Sequence, residues 1–100
     1  MAKAVEIDTL QGTLDESLWF HLDLSNDVLY LRDQGTRNQA VFGEETPEGF
    51  TVLRTNKGEF AGMTIVNYWG RYGSGDLGRA SIYIVKERVA AWAQRHLMAA

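Results

Sequence analysis

The chain has no cysteine, which removes disulfides, thiolate metal sites, iron–sulfur clusters and thiol nucleophiles together and favours a reducing compartment such as the cytoplasm. It has one proline and two histidines, so little interrupts regular structure and few side chains titrate near neutrality without large shifts. Positive charge is not in excess. Lys and Arg number 10 against 13 Asp and Glu, a net charge of -3, which argues against affinity built on neutralising phosphates. No apolar run approaches the roughly 18 residues that a bilayer span needs. The opening Met1-Ala2-Lys3-Ala4-Val5-Glu6-Ile7-Asp8 places two acids where a signal peptide has its apolar stretch. Neither nucleic acid nor membrane is an expected partner. What is present, 45% hydrophobic and 23% charged residues in a length of 100, is the composition of one soluble globular domain.

Apolar and polar residues alternate over 18–24, with Leu18, Phe20, Leu22 and Leu24 on one face and Trp19, His21 and Asp23 on the other, as a half-buried strand requires. Ser25-Asn26-Asp27 is a polar connector, and the β-formers Val28-Leu29-Tyr30-Leu31-Arg32 complete a hairpin. Residues 33–38 read as a turn, 39–42 as a short third strand and 43–49 as an acidic loop. A second hairpin runs from 50–55 through Asn56-Lys57-Gly58-Glu59 to a strand over 60–69, which is apolar on both faces and therefore placed inside the sheet. Residues 70–79 form a glycine-rich loop, with Asp76 or Ser81 as the cap of a helix beyond it. Val85, Val89, Trp92, His96 and Leu97 recur at helical spacing and predict an amphipathic helix over 85–97. Residues 82–85 are read as its first turn, although three of the four favour strands. The expected fold is α+β, an antiparallel β-meander of about five strands with one amphipathic C-terminal helix packed on the sheet.

Two stretches carry a family resemblance. Asp23-Leu24-Ser25-Asn26-Asp27-Val28-Leu29-Tyr30-Leu31 resembles the D-x-x-x-D-x-L-Y-[IVL] opening of small bacterial proteins grouped as domain of unknown function family 2283. Gly49-Phe50-Thr51-Val52, five further residues to Gly58, then Phe60-Ala61-Gly62-Met63-Thr64-Ile65-Val66, is similar to that family's hairpin core. The match spans about 22–67 and departs at Leu22 and Thr64, where the family has an aromatic residue and an acid. The resemblance implies an antiparallel sheet, a loose association with toxin–antitoxin-like gene pairs and no established activity.

Candidate chemistry is sparse. Gly73-Ser74-Gly75-Asp76-Leu77-Gly78 matches G-x-G-x-x-G after a predicted strand and before a helix, but no second parallel strand ending in an acid comes after it, so it is read as a loop. His21 and Asp23, two apart on one strand face, are a candidate metal-ligand or base pair without a visible third member, and a solvated polar face explains them more simply. His96 falls near a helix C-terminus, where the dipole favours its charged form. Asp8, Asp15, Glu16, Asp23 and Asp27 lack the spacing of a calcium loop. No serine has a nucleophile-elbow context. No cofactor, metal site or catalytic residue is implied.

The three tryptophans stand out, because aromatic residues dominate interface hot spots. Trp19 and Trp69 each fall opposite the larger apolar set of their strand, so they form an exposed aromatic patch or are covered by the N-terminal segment or a second subunit. The expected function is protein–protein interaction, with itself as a homodimer or with a small partner protein, through a surface containing Trp19, His21, Asp23, Tyr68, Trp69 and Tyr72. The rival is a small-molecule-binding or weakly catalytic domain with a pocket between sheet and helix and His21, Asp23, Trp69 and Tyr72 at its mouth. A third reading has the acidic loop, through Glu44, Glu45 and Glu48, occupying a basic partner.

Overall fold

The computed structural model describes residues 9–14, 17–77 and 82–97. Six strands, β1 (Thr9–Thr13), β2 (Leu18–Asp23), β3 (Val28–Asp33), β4 (Val41–Glu45), β5 (Phe50–Thr55) and β6 (Phe60–Val66), precede a short helix α1 (Tyr68–Tyr72) and a long helix α2 (Ile82–Leu97). All strand pairs are antiparallel, in the order β1-β2-β3-β6-β5-β4. The α+β architecture is as expected, with six strands where about five were expected. The added strand is β1, whose five residues show no clear alternation and become a strand by pairing with β2.

The order departs from a simple meander. After β3 the chain runs through a 3-10 turn (Gln34–Thr36) to the far edge of the sheet, and β5 and β6 then fill inward until β6 pairs with β3. β6 thus lies inside the sheet, as its two-sided apolar character requires. The third strand sits later than predicted, at Val41–Glu45, because part of the acidic stretch pairs with β5 as an exposed edge.

Leu18, Phe20 and Leu22 of β2, Leu29 and Leu31 of β3, Met63 and Ile65 of β6 and Phe50 of β5 form one buried layer. Against it α2 lays Val85, Val89, Trp92 and Ala93, a stripe with the spacing read from sequence, and residues 82–85 are indeed helical. The predicted cap Ser81 lies outside the described residues.

The largest local correction concerns 67–72. The strand ends at Val66 instead of Trp69, since Asn67 takes a left-handed conformation (φ 59°) and starts α1. Asn is one of the few side chains that tolerate this conformation. Asp27, itself at φ 54°, holds α1 from 42 residues away. Its carboxylate accepts from the backbone N–H of Trp69 (2.8 Å) and Gly70 (2.9 Å), while its carbonyl accepts from Tyr68 N–H (3.2 Å). These are the orphan donors of a helix N-terminus, satisfied by the β2–β3 turn. Asp27→Ala is expected to destabilise the domain by about 1–2 kcal/mol, the usual range for removing a cap. Asp27→Asn, which tolerates the left-handed backbone and keeps one acceptor, is expected to lose less. Urea unfolding of the two variants checks the order.

Candidate functional site

Helix α2 covers one face of the sheet, and strand register decides what stands on the other. Two cross-strand rows run over the open face: Gln11, His21, Tyr30, Thr64, Thr51 and Glu45 in one, and Thr13, Trp19, Arg32, Gly62, Leu53 and Gly43 in the next. Aromatic rings and Arg32 fall on β2 and β3, whereas β6, β5 and β4 present Gly and Thr together with Leu53 and Glu45. Trp19 and His21 are 5.7 Å apart between ring centroids, and His21 and Tyr30 are 5.8 Å apart, edge to face. Beside this aromatic row, where Gly62 offers no side chain, lies a shallow depression of about 360 Å³ between Trp19, His21, Tyr30 and Arg32 on one side and Leu53 and Thr64 on the other. A second hollow of about 470 Å³ adjoins it through Trp19 and Arg32 and is completed by Asp33, Gln34 and Arg37.

The charges on this face are distributed unevenly. Among the described residues the ion pair Arg54–Glu44 (3.5 Å) stands alone, so Arg32 and Arg37 at the hollow have no described carboxylate within ion-pair distance, while at the β4–β5 turn the Arg71 guanidinium donates to the Glu48 carbonyl at 2.7 Å. Asp33, in the same hollow, is beyond that distance from both guanidinium groups.

The residues singled out in sequence divide between the two faces. Trp19 and His21 stand on the open face. Asp23 shares their side but is engaged in its own turn, accepting from Ser25 N–H (3.1 Å), Asn26 N–H (3.3 Å) and the Asn26 amide (2.9 Å). Those bonds, that of the Asn26 side chain first, hold its carboxyl below the ordinary 3.8. Tyr68 and Trp69 are buried on the helix side, at 0% and 5% exposure, and Trp69 Nε1–H donates to Gly75 O at 3.0 Å. Burial raises the Tyr68 phenol far above its usual value. Tyr72 is half-buried against Phe50, Trp92 and His96. The expectation that Trp69 faces the same way as Trp19 is therefore corrected: α1 rotates it into the core. His21 lies across the sheet from Trp69 and Tyr72, so these residues do not line one mouth, and among the described residues the rings of Phe50, Tyr68 and Trp92 pack together between sheet and α2.

Little chemistry gathers around the histidines. His21 Nδ1 lies 3.4 Å from Gln11 Oε1, and His96 stacks on Trp92 at 4.4 Å with Nδ1 3.0 Å from the Trp92 carbonyl oxygen. Among the described residues no three His, Asp or Glu side chains group as metal ligands, and no helix is long and apolar enough to cross a membrane. Asp8, Asp15 and Glu16 of the N-terminal acidic set lie outside the described residues, as does Gly78 of the glycine motif. That motif comes after α1 and not after a strand, so it lacks the strand-to-helix context of a dinucleotide fingerprint.

Tyr30, Arg32, Leu53 and Arg37 complete the open face and were missed in sequence. Alternation with buried Leu29 and Leu31 was signal enough for Tyr30 and Arg32. Arg37 sits in a turn and carried none. No family model, curated protein or solved structure matches the chain.

Proposed function

We propose that this chain is a non-catalytic protein–protein interaction module that works through the open face of its sheet. The observation that carries the reading is the row Trp19, His21 and Tyr30, held on rigid strands on the face that α2 leaves bare, with Tyr30 at 39% exposure. Rigid aromatic side chains supply much contact area at a small entropic cost, and they dominate binding energy where they are desolvated on association. An enzyme would need a nucleophile, base or metal set in a cleft, and this face offers one imidazole over a shallow depression.

The resemblance to domain of unknown function family 2283 belongs to the same proposal. The D-x-x-x-D motif acts through Asp23, which closes the hairpin turn, and Asp27, which caps α1, so it supports a shared framework and not a shared site.

Light scattering behind size exclusion, over a range of protein concentrations, tests the reading. Wild type is expected to rise above 11.2 kDa with concentration, and Trp19→Ala with Tyr30→Ala is expected to remain at that mass while keeping its circular dichroism spectrum. A variant that associates as well as wild type would overturn the reading of this face, and a wild type that stays monomeric throughout would overturn self-association as the form the interaction takes.

A further inference from the structure

We infer that the free edge of β4 is a second interaction surface, which takes an extended basic segment of another protein as a seventh strand. The inference goes beyond the open-face reading and does not depend on it.

β4 is the last strand on its side of the sheet and pairs only with β5. Thr46 N–H donates to the Phe50 carbonyl at 2.8 Å, and antiparallel bonding alternates from there, so Glu44 and Phe42 exchange bonds with Val52 and Arg54. Val41, Gly43 and Glu45 therefore turn their N–H and C=O groups away from β5, and no described group bonds to them. A row of backbone donors and acceptors at this spacing is complementary to another extended backbone. The opposite edge strand, β1, has the same kind of row but no charged side chain, whereas β4 carries two carboxylates and an exposed ring.

Side chains along the row say what the added strand carries. Phe42 is 61% exposed and stands outside the core under α2, so it offers an aromatic contact to an apolar residue opposite it. Glu44 shares one exposed ion pair with Arg54, whose guanidinium also donates to the Gly58 carbonyl, and Glu45 has no cation within ion-pair distance among the described residues. Gly43 presents no side chain, so a large residue opposite it is set against Leu53 of β5. Laid antiparallel, as every pair in this sheet is, the segment reads basic, basic, large apolar, apolar, apolar from its N-terminus. A second copy does not fit this pattern. β4 contains no cation, and paired with itself about Gly43 it sets Glu44 against Phe42 and Glu45 against Val41. Opposite charges across a strand pair are favourable and like charges unfavourable, so the two carboxylates select a basic segment. The backbone bonds and the Phe42 contact hold it, over an area small enough to keep the complex reversible.

Titration of the full chain with the blocked peptide Lys-Lys-Phe-Val-Val, followed by amide chemical shifts, tests the inference. The amides of Val41, Gly43 and Glu45 are expected to shift most, and the counterpart Glu-Glu-Phe-Val-Val is expected to bind at least about tenfold more weakly. Glu45→Lys is expected to weaken the basic peptide by about the same factor. Val41→Pro removes one outward N–H and leaves the β4–β5 bonds intact, and it is expected to weaken binding about threefold or more. If that variant does not fold by circular dichroism, Glu45→Lys, an exposed substitution, carries the test. Trp19→Ala with Tyr30→Ala is expected to bind the peptide as wild type does, which separates this edge from the open face. No shift along β4, equal binding of the two peptides, or shifts confined to β1 or to the open face would overturn the inference and leave the open-face reading standing. Shifts of the same β4 amides on concentrating the protein without peptide would also overturn it, by showing that a second copy takes the edge.

Discussion

Trp92→Ala is expected to destabilise the domain by about 3–5 kcal/mol, the range for truncating a buried large aromatic. The indole is 4% exposed and stands in edge-to-face contact with Phe50 at 5.4 Å, Tyr68 at 6.1 Å and Tyr72 at 5.6 Å, with His96 stacked on it at 4.4 Å. Its loss would open a cavity where α1, α2 and β5 meet, and those rings cannot close it without leaving their rotamers. The unpaired indole donor lowers the figure: Trp92 Nε1–H has no hydrogen-bond partner in its buried position, so alanine also removes an unsatisfied group. Trp92→Phe, which deletes that donor and keeps most of the ring volume, should therefore lose much less. Single domains of this size are stable by about 5–15 kcal/mol, so the alanine variant should unfold at markedly lower urea while the phenylalanine variant stays near wild type. Equal losses for the two would show that the ring contacts are not what holds α2 on the sheet.

Gly62→Ala carries the second large effect, and its cause is space and not backbone conformation. A Cβ at this position would lie inside van der Waals contact with the Leu31 carbonyl oxygen and 3.1 Å from Arg32 Cδ. Both neighbours belong to β3, which pairs with β6 at Arg32↔Gly62 in the middle of the sheet. Backbone cannot turn aside as a side chain can, so the β3–β6 pairing must spread or slip, at an expected cost of about 3 kcal/mol, the upper end of the usual range for overpacking. Gly58→Ala is the matched comparison. There φ is +82° and nothing lies within 4 Å, so only the left-handed strain applies, about 1–2 kcal/mol. Thermal unfolding of both variants is expected to rank Gly62→Ala as clearly the worse. The reverse order would mean that β3 and β6 tolerate a wider spacing than their register suggests.

Gly62 also links stability to the candidate site. The missing side chain lets β3 and β6 come close, and it leaves the low ground beside Trp19 and Arg32 on the open face. The motif Gly-Met-Thr-Ile-Val was visible as a strand with both faces apolar, but which neighbour the glycine served depended on β6 pairing with β3, whose residues lie some thirty positions earlier.

Local pattern determined a good deal of this protein. The two-residue alternation over 18–24 and 28–32, the turn chemistry of Asn56-Lys57-Gly58-Glu59 and the spacing of Val85, Val89 and Trp92 are short-range properties, and each produced the element it implied. They were enough for the α+β class, for β6 inside the sheet and for Trp19 and His21 sharing a face. Tertiary structure decided the rest. β1 is a strand because β2 offers it an edge, and β4 lies at the far side because β6 takes the place beside β3. Trp69 points into the core because Asn67 turns left-handed and Asp27, 42 residues away in sequence from Trp69, supplies the acceptors that start α1. The open face owes its composition to the same long-range pairing, since Tyr30 from one hairpin meets Thr64 from another and Arg37, from the turn after β3, lines one hollow with Trp19. Periodicity reports which side of a strand is wet or dry, whereas the identity of the neighbouring strand is fixed by packing free energy shared over the whole sheet, which no window of local sequence contains.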